Sequence, residues 1–379
     1  MEQTLTIGMA HHNDFSGAYF TIQDITKELT FNNRPDLLNK IKFLVVENDP
    51  ESQHAIELQH LARNNHRIEI VTLDEERGTS PARNKIIEES STDFVLVMDC
   101  HVLLCPVVRT LDSLFQFMEH NPNTEDLYQG PLVYDSFSSF STHFNDSWGA
   151  EMWGQWGQAF DCSCEAYKFS VTRENVIKNA KCKFVDIATQ EQITKCPYCQ
   201  NDFPQDLLFA GHQKALMKNE CKLTDLRHYA APFEIFAQGL GLFFTRKNSW
   251  LGFNEHQRGF GGEECYIHEK YRQAGRKTMC LPFLKWLHRF GRPDGPKYEI
   301  NTIRKLKNYL FEFVELGLDL EPLKKHYTEE SGVDEAKFRL LLSEARSVYG
   351  QDNVYNPEEK DIIQQIEDLR KQLVDIKNT

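Results

Sequence analysis

The run Phe94-Val95-Leu96-Val97-Met98-Asp99-Cys100-His101 sets a carboxylate and an imidazole two residues apart behind five apolar residues. In an extended chain residues i and i+2 project to the same side, so Asp99 and His101 can share one divalent cation. Mixed carboxylate and imidazole ligation suits Mn²⁺, with Mg²⁺ as the alternative. A second cluster is Cys162-x-Cys164 and Cys196-x-x-Cys199, two close pairs with 31 residues between them. Four thiolates so spaced hold tetrahedral Zn²⁺, the metal replacing the core that a short segment lacks. The first pair is one residue shorter than the usual knuckle, and Cys182, His212 and Cys221 are reserve ligands. Reduced cysteines in an ordinary lobe are the competing reading.

Positioning Asp99 requires a strand, and five consecutive apolar residues predict one buried on both faces. Apolar runs over 5–9, 41–46 and 68–71 predict three more strands, with helices over 16–29 and 51–63 between them. Another helix starts at Ser80-Pro81, a cap residue before a proline in the first turn. Strand and helix alternating in this way imply a parallel sheet with right-handed crossovers. Ligands of such sheets sit at the carboxyl ends of the strands, and both Glu47 and Asp99 fall at that edge.

Composition is that of a soluble globular chain: 379 residues, 40% hydrophobic and 26% charged. The start, Met1-Glu2-Gln3-Thr4, lacks the basic and apolar regions of a signal peptide, and no run of eighteen apolar residues predicts a membrane span. Ten cysteines, clustered or set within apolar patterns, fit a reducing compartment, so a cytoplasmic location is expected. A net charge of -13 argues against wrapping nucleic acid or an anionic membrane.

Glu47-Asn48-Asp49, then Arg77-Gly78-Thr79-Ser80 with Ala82-Arg83-Asn84, then Val97-Met98-Asp99-Cys100-His101 resemble the nucleotide-sugar half of a family-2 type GT-A glycosyltransferase. That family usually ends the last strand in Asp-x-Asp; Asp-x-His is similar to the polypeptide N-acetylgalactosaminyltransferases. Gly259-Phe260-Gly261-Gly262-Glu263-Glu264 resembles the acceptor-side Gly-Gly-Glu or Glu-Asp motif, and Leu287-His288-Arg289-Phe290 the segment whose histidine completes the metal site. The resemblance covers about residues 5 to 293. It implies a Rossmann-like GT-A α/β fold with a mainly parallel sheet, and metal-dependent transfer from a nucleotide-sugar, a UDP-sugar first, to a hydroxyl acceptor. It further implies His288 as third metal ligand, Glu47 on the base or ribose, Ala10 beside the base, and Arg83 and Asn84 near the nucleotide at a helix N-terminus that favours phosphate.

The leaving nucleoside diphosphate gathers negative charge that a bound cation stabilises. An inverting course also needs a carboxylate to take the acceptor proton. The resemblance puts Glu264 in that place and Glu263 on sugar hydroxyls. Plainer readings stand beside these. His288 packs against Trp286 and Phe290, Glu47 is a turn residue before Pro50, and the two acids complement the dipole of a helix over 266–274 closed by Gly275.

The chain divides into a nucleotide-sugar half (1–158), a Cys-rich zinc-ribbon-like insert (159–231), an acceptor-side half (232–298) and a helical extension (299–379). In bacterial proteins of the resemblance the segment of Trp148, Trp153 and Trp156 runs almost directly into the strand that here begins near Phe233. From Cys162 to Ala230 there are ten Lys/Arg against eight Asp/Glu, leaving -15 on the remainder. This locally basic insert keeps a DNA acceptor, such as hydroxymethylated pyrimidines of phage DNA, as a competing reading. A non-catalytic nucleotide-sugar or carbohydrate-binding protein would keep the fold without needing Glu263-Glu264. A nucleotidyltransferase would favour a Gly-rich phosphate loop, which residues 8–17 lack. Helices are expected over 303–316 and 335–348, packing back on the catalytic domain. Ile362, Ile366, Leu369, Leu373 and Ile376 follow a coiled-coil seam, so the last helix either forms a homo-oligomer or docks on its own subunit.

Overall fold

The computed structural model describes residues 3–74, 78–135, 140–156, 185–195, 231–291 and 298–351. Four parallel strands form the first half of the sheet: β1 (Leu5–His11), β2 (Ile41–Glu47), β3 (Ile68–Thr72) and β4 (Phe94–Asp99). Between them run α1 (Phe15–Phe31), α2 (Pro35–Asn39), α3 (Gln53–Arg63) and α4 (Thr79–Glu89). Strands β1, β2 and β4 are almost wholly buried, as expected of a parallel sheet covered on both faces, while the edge strand β3 buries only Ile68. Phe94 to Met98 are wholly buried, and each such side chain contributes about 1.5–3 kcal/mol through burial. Helix α1 turns Ile22, Ile25 and Leu29 into the same core, the expected helical stripe.

After β5 (Val102–Leu104) and α5 (Val107–His120) the chain adds β6 (Leu127–Gln129), β7 (Leu132–Tyr134), β8 (Phe140–Ser141) and the hairpin β9 (Phe144–Gly149) and β10 (Met152–Trp156). It continues with β11 (Phe233–Glu234), β12 (Leu242–Arg246), α6 (Glu263–Gln273), β13 (Thr278–Cys280) and β14 (Trp286–His288). The main sheet has eight strands in the order β11-β13-β6-β12-β4-β1-β2-β3. Strand β12 runs antiparallel to β4 and to β6, while β13 lies parallel to β6 and β11 opposes β13. Six strands therefore share one direction, giving a mainly parallel α/β sheet of GT-A-like form. The stacked rings of Phe94 and Phe244, 5.5 Å apart, join β4 to β12. A second sheet, β5-β14-β7-β8, stands at the edge where β4 ends.

Residues 1–300 and 301–379 form two compact units. In the second, α7 (Thr302–Leu316), α8 (Glu321–Lys325) and α9 (Glu335–Val348) are helices, with Asn301 and Asp334 capping α7 and α9. Cys162, Cys164, Cys196 and Cys199, the reserve ligands, and the seam from Ile362 to Ile376 lie outside the described residues. No helix among the described residues is long and apolar enough to cross a membrane.

Candidate active site

Asp99 ends β4, but His101 is not on that strand. Cys100 and His101 form a turn before β5, so the simple i, i+2 argument for an extended chain does not position the imidazole. Strand pairing does. His288, the last residue of β14, pairs in register with Val102, and the Arg289 N–H donates to the His101 carbonyl at 3.3 Å. The two rings meet edge to face, with His101 Nε2 3.2 Å from His288 Nε2. Asp99 Oδ2 lies 4.0 Å from His101 Nε2, and ligand atoms of all three residues lie within 4.8 Å of one another. Neighbouring ligands of an octahedral ion with bonds of about 2.1 Å stand about 3 Å apart. One carboxylate and two imidazoles at these separations fit a first-row divalent cation. Among the described residues no other group of three such side chains converges in this way.

Arg83, on the buried side of α4, joins this cluster to Glu263. Its Nη2 donates to Asp99 Oδ1 at 2.9 Å and its Nη1 to Glu263 Oε1 at 3.0 Å. Thr79 Oγ1 donates to the same Glu263 oxygen at 2.8 Å. Burial works against the Arg83 cation, but Asp99 and Glu263 outweigh it and raise its pKa. Burial likewise pushes the Asp99 carboxyl up, yet Arg83, then His101 and His288, bring it below its usual value. Helix α4 is fixed against the loop before α6 at its first residue, where the Thr79 N–H donates to the Gly259 carbonyl at 3.0 Å. Gly78, which caps it at φ +107, has no room for a side chain because a Cβ there would run into the Gly259 backbone.

Ala10 pairs with Asp99 across the β1–β4 ladder, and both line a small open cleft together with His11, Asp14, Asn48 and Thr79. Glu47 is buried at the same edge: Oε2 accepts from His11 Nδ1 at 2.6 Å and Oε1 from the Asp49 N–H at 2.8 Å. Asn84 points away from the cleft lining. Its side-chain oxygen accepts from Trp250 Nε1 and the Phe253 N–H, both at 2.9 Å, and its nitrogen donates to the Phe253 carbonyl at 3.2 Å. Thr79, His11 and Asp14 lie in segments that the resemblance places near the nucleotide, but the sequence assigns none of them an individual role, because no local spacing marks partners that are 36 to 184 residues away in the chain.

Glu263 and Glu264 open α6 behind Gly262, where free N–H groups complement their charge. Glu263 is 1% exposed, while Glu264 is 9% exposed and adds to the charge felt by Arg83. One turn on, His268 Nδ1 donates to the Glu264 carbonyl at 2.6 Å, and its Nε2 lies 3.2 Å from the Gln129 side-chain amide. Burial lowers the His268 pKa from 6.5 to about 3, with the Glu264 carbonyl opposing and Arg272 adding to the shift. The folded state therefore stays neutral where the unfolded chain takes up a proton, and stability falls as pH drops below about 6.5. At 1.36 kcal/mol per unit this costs about 2 kcal/mol by pH 5. Urea unfolding of wild type and His268→Gln at pH 7 and pH 5 checks this: the wild-type loss should exceed the variant's by about that amount.

The hairpin β9–β10 packs on α6 directly behind these acids. Trp148 and Trp153 stack across it at 6.2 Å, and the Cys265 thiol donates to the Trp153 carbonyl at 3.1 Å. Trp156 turns inward, its ring edge on Phe144.

The family model described as glycosyl transferase family 2 matches residues 12–159. No curated protein matches the chain in sequence. Among solved structures it is similar to GalNAc-T7 with UDP, GalNAc and Mn²⁺, at 12% identity and a TM-score of 0.49, over 90% of this chain and 56% of that one. It is also similar to the mannosyltransferase PcManGT from Pyrobaculum calidifontis in complex with GDP-Man and Mn²⁺, at 11% identity and a TM-score of 0.43, over 97% of this chain and 81% of that one. The chain thus spans just over half the length of the first of these structures.

Proposed function

We propose, from the match of residues 12–159 to the model of glycosyl transferase family 2, that the chain transfers a sugar from a nucleotide-sugar donor to a hydroxyl acceptor in a metal-dependent reaction. The convergence of Asp99, His101 and His288 beside the cleft that Ala10 and Asn48 line carries this reading. These three side chains would hold Mn²⁺ or Mg²⁺, which when bound offsets charge on the departing diphosphate. By the Asp-x-His resemblance the donor is a UDP-sugar.

In this reading the cleft seats the nucleotide, with Glu47 holding His11 at the base end. Arg83 keeps Asp99 oriented and links it to Glu263. In an inverting displacement the acceptor oxygen bonds to the sugar C1, the bond from C1 to the diphosphate oxygen breaks, and Glu264 takes the hydroxyl proton. Glu263, anchored by Thr79 and Arg83, supports the sugar side.

The test is a panel of UDP-, GDP- and dTDP-sugars with Mn²⁺, offered to glycan, peptide and hydroxymethylated-DNA acceptors, with products read by mass spectrometry. A mass increment of one sugar on any acceptor, lost on chelation, is the expected outcome; a nucleotide that binds with no hydrolysis or transfer from any donor would leave a binding protein. His288→Ala should weaken Mn²⁺-dependent UDP binding at least tenfold in calorimetry, and unchanged affinity would return His288 to a packing role. Structural zinc on Cys162, Cys164, Cys196 and Cys199 belongs to the same proposal, and elemental analysis of purified protein decides it.

A further inference from the structure

We propose that Asp14 is a positioning residue of the metal site, holding His101 in the tautomer and orientation that present its Nε2 lone pair to the cation. The inference rests on the metal reading above and extends it to a residue outside the ligand set. His101 Nδ1 lies 3.1 Å from Asp14 Oδ2. An ionised carboxylate only accepts hydrogen bonds, so the proton of a neutral ring sits on Nδ1 and Nε2 is left as the ligand atom. That nitrogen is the one facing His288 Nε2. Metal-bound imidazoles are commonly held through their other nitrogen in this way.

Asp14 is itself held. It caps α1, its Oδ1 accepting from the Gly17 N–H at 3.1 Å. A Cβ on Gly17 would lie 2.5 to 2.9 Å from the three carboxylate atoms of Asp14, so the absence of a side chain there makes room for the carboxylate. One turn further along α1, Thr21 Oγ1 donates to the Cys100 carbonyl at 2.7 Å and lies 3.0 Å from the Val102 carbonyl. The first turns of α1 thus grip the Cys100–Val102 turn on both sides of His101 and orient its ring as well. His101 and His288 come from the sheet edge; the tautomer comes from a helix 87 residues earlier in the chain.

Mn²⁺ alone, titrated into the full chain and followed by calorimetry and by the EPR signal of free Mn²⁺, tests the assignment. Asn caps a helix as well as Asp, so Asp14→Asn should keep the wild-type thermal midpoint while weakening Mn²⁺ about 10- to 100-fold. Gly17→Ala, which leaves Asp14 in place chemically but displaces its carboxylate, should shift affinity in the same direction and serves if Asp14→Asn fails to fold. Affinities within twofold of wild type in the folded variants, while His288→Ala still loses Mn²⁺, would overturn the role of Asp14. Absence of Mn²⁺ binding by the wild type would instead overturn the metal reading, and this inference with it.

Discussion

Glu264→Gln is expected to lower sugar transfer by about 10²- to 10⁴-fold, the range for loss of a general base, while leaving Mn²⁺ and nucleotide affinity within twofold of wild type. The two acids at the start of α6 are not equivalent. Glu263 is engaged by Thr79 at 2.8 Å and by Arg83 at 3.0 Å through one oxygen, an arrangement that holds a side chain still. Glu264, one residue on and turned about 100° around the helix, is the more exposed of the two. It stays close enough to Arg83 to share its charge. Glutamine preserves its size and its place at the helix N-terminus but cannot take the acceptor proton. Single-turnover product formation gives the rate and calorimetry the affinity. Turnover within threefold of wild type would remove Glu264 from the chemistry.

Arg83→Met is expected to destabilise the folded chain by about 3–5 kcal/mol, the cost of leaving a buried ionic cluster without one partner. Arg83 is almost wholly buried and stands between Asp99 and Glu263. Its removal leaves two carboxylates near one another, one of them, Glu263, only 1% exposed, with Glu264 close by. Lysine is a poor replacement, because one ammonium cannot reproduce the two directed bonds of the guanidinium fork. Glu263→Met added to Arg83→Met should recover part of the loss, since it removes one of the stranded charges. Urea unfolding at pH 7 provides the comparison, and a loss below about 1 kcal/mol for the single variant would contradict a structural role for the bridge.

Much of the donor half was legible in local pattern. The apolar runs of β1, β2 and β4 and the stripe on α1 each encode their element through burial, whereas α4 does not start at the expected Ser80-Pro81 cap: it begins at Thr79 behind Gly78, with no side-chain cap. The strand ends followed, and with them the placement of Glu47 and Asp99 at one sheet edge. Side-chain partnerships were not legible in the same way. Asn84 sits beside Arg83 in a motif read as nucleotide-facing, yet its amide bonds to Trp250 and Phe253, more than 160 residues away. His101 follows Asp99 by two residues, but the turn at Cys100 breaks the alternation on which that spacing argument depends. Nothing near Asp14 in the sequence signals a bond to His101.

Local pattern encodes the four parallel strands, the helices α1 and α3 between them, and the types of ligand and acid available at the strand ends, because propensity and hydrophobic period are local properties. The tertiary structure decided which of those groups meet. The β5–β14 register brings His288 to His101, α4 carries Arg83 between Asp99 and Glu263, and the start of α1 delivers Asp14 to the Cys100–His101 turn. The physical reason is range. Local propensities act over a few residues, whereas a site of this kind depends on separations of about 3 Å between side chains far apart in the chain, set by strand register and by helices packed against a closely filled core.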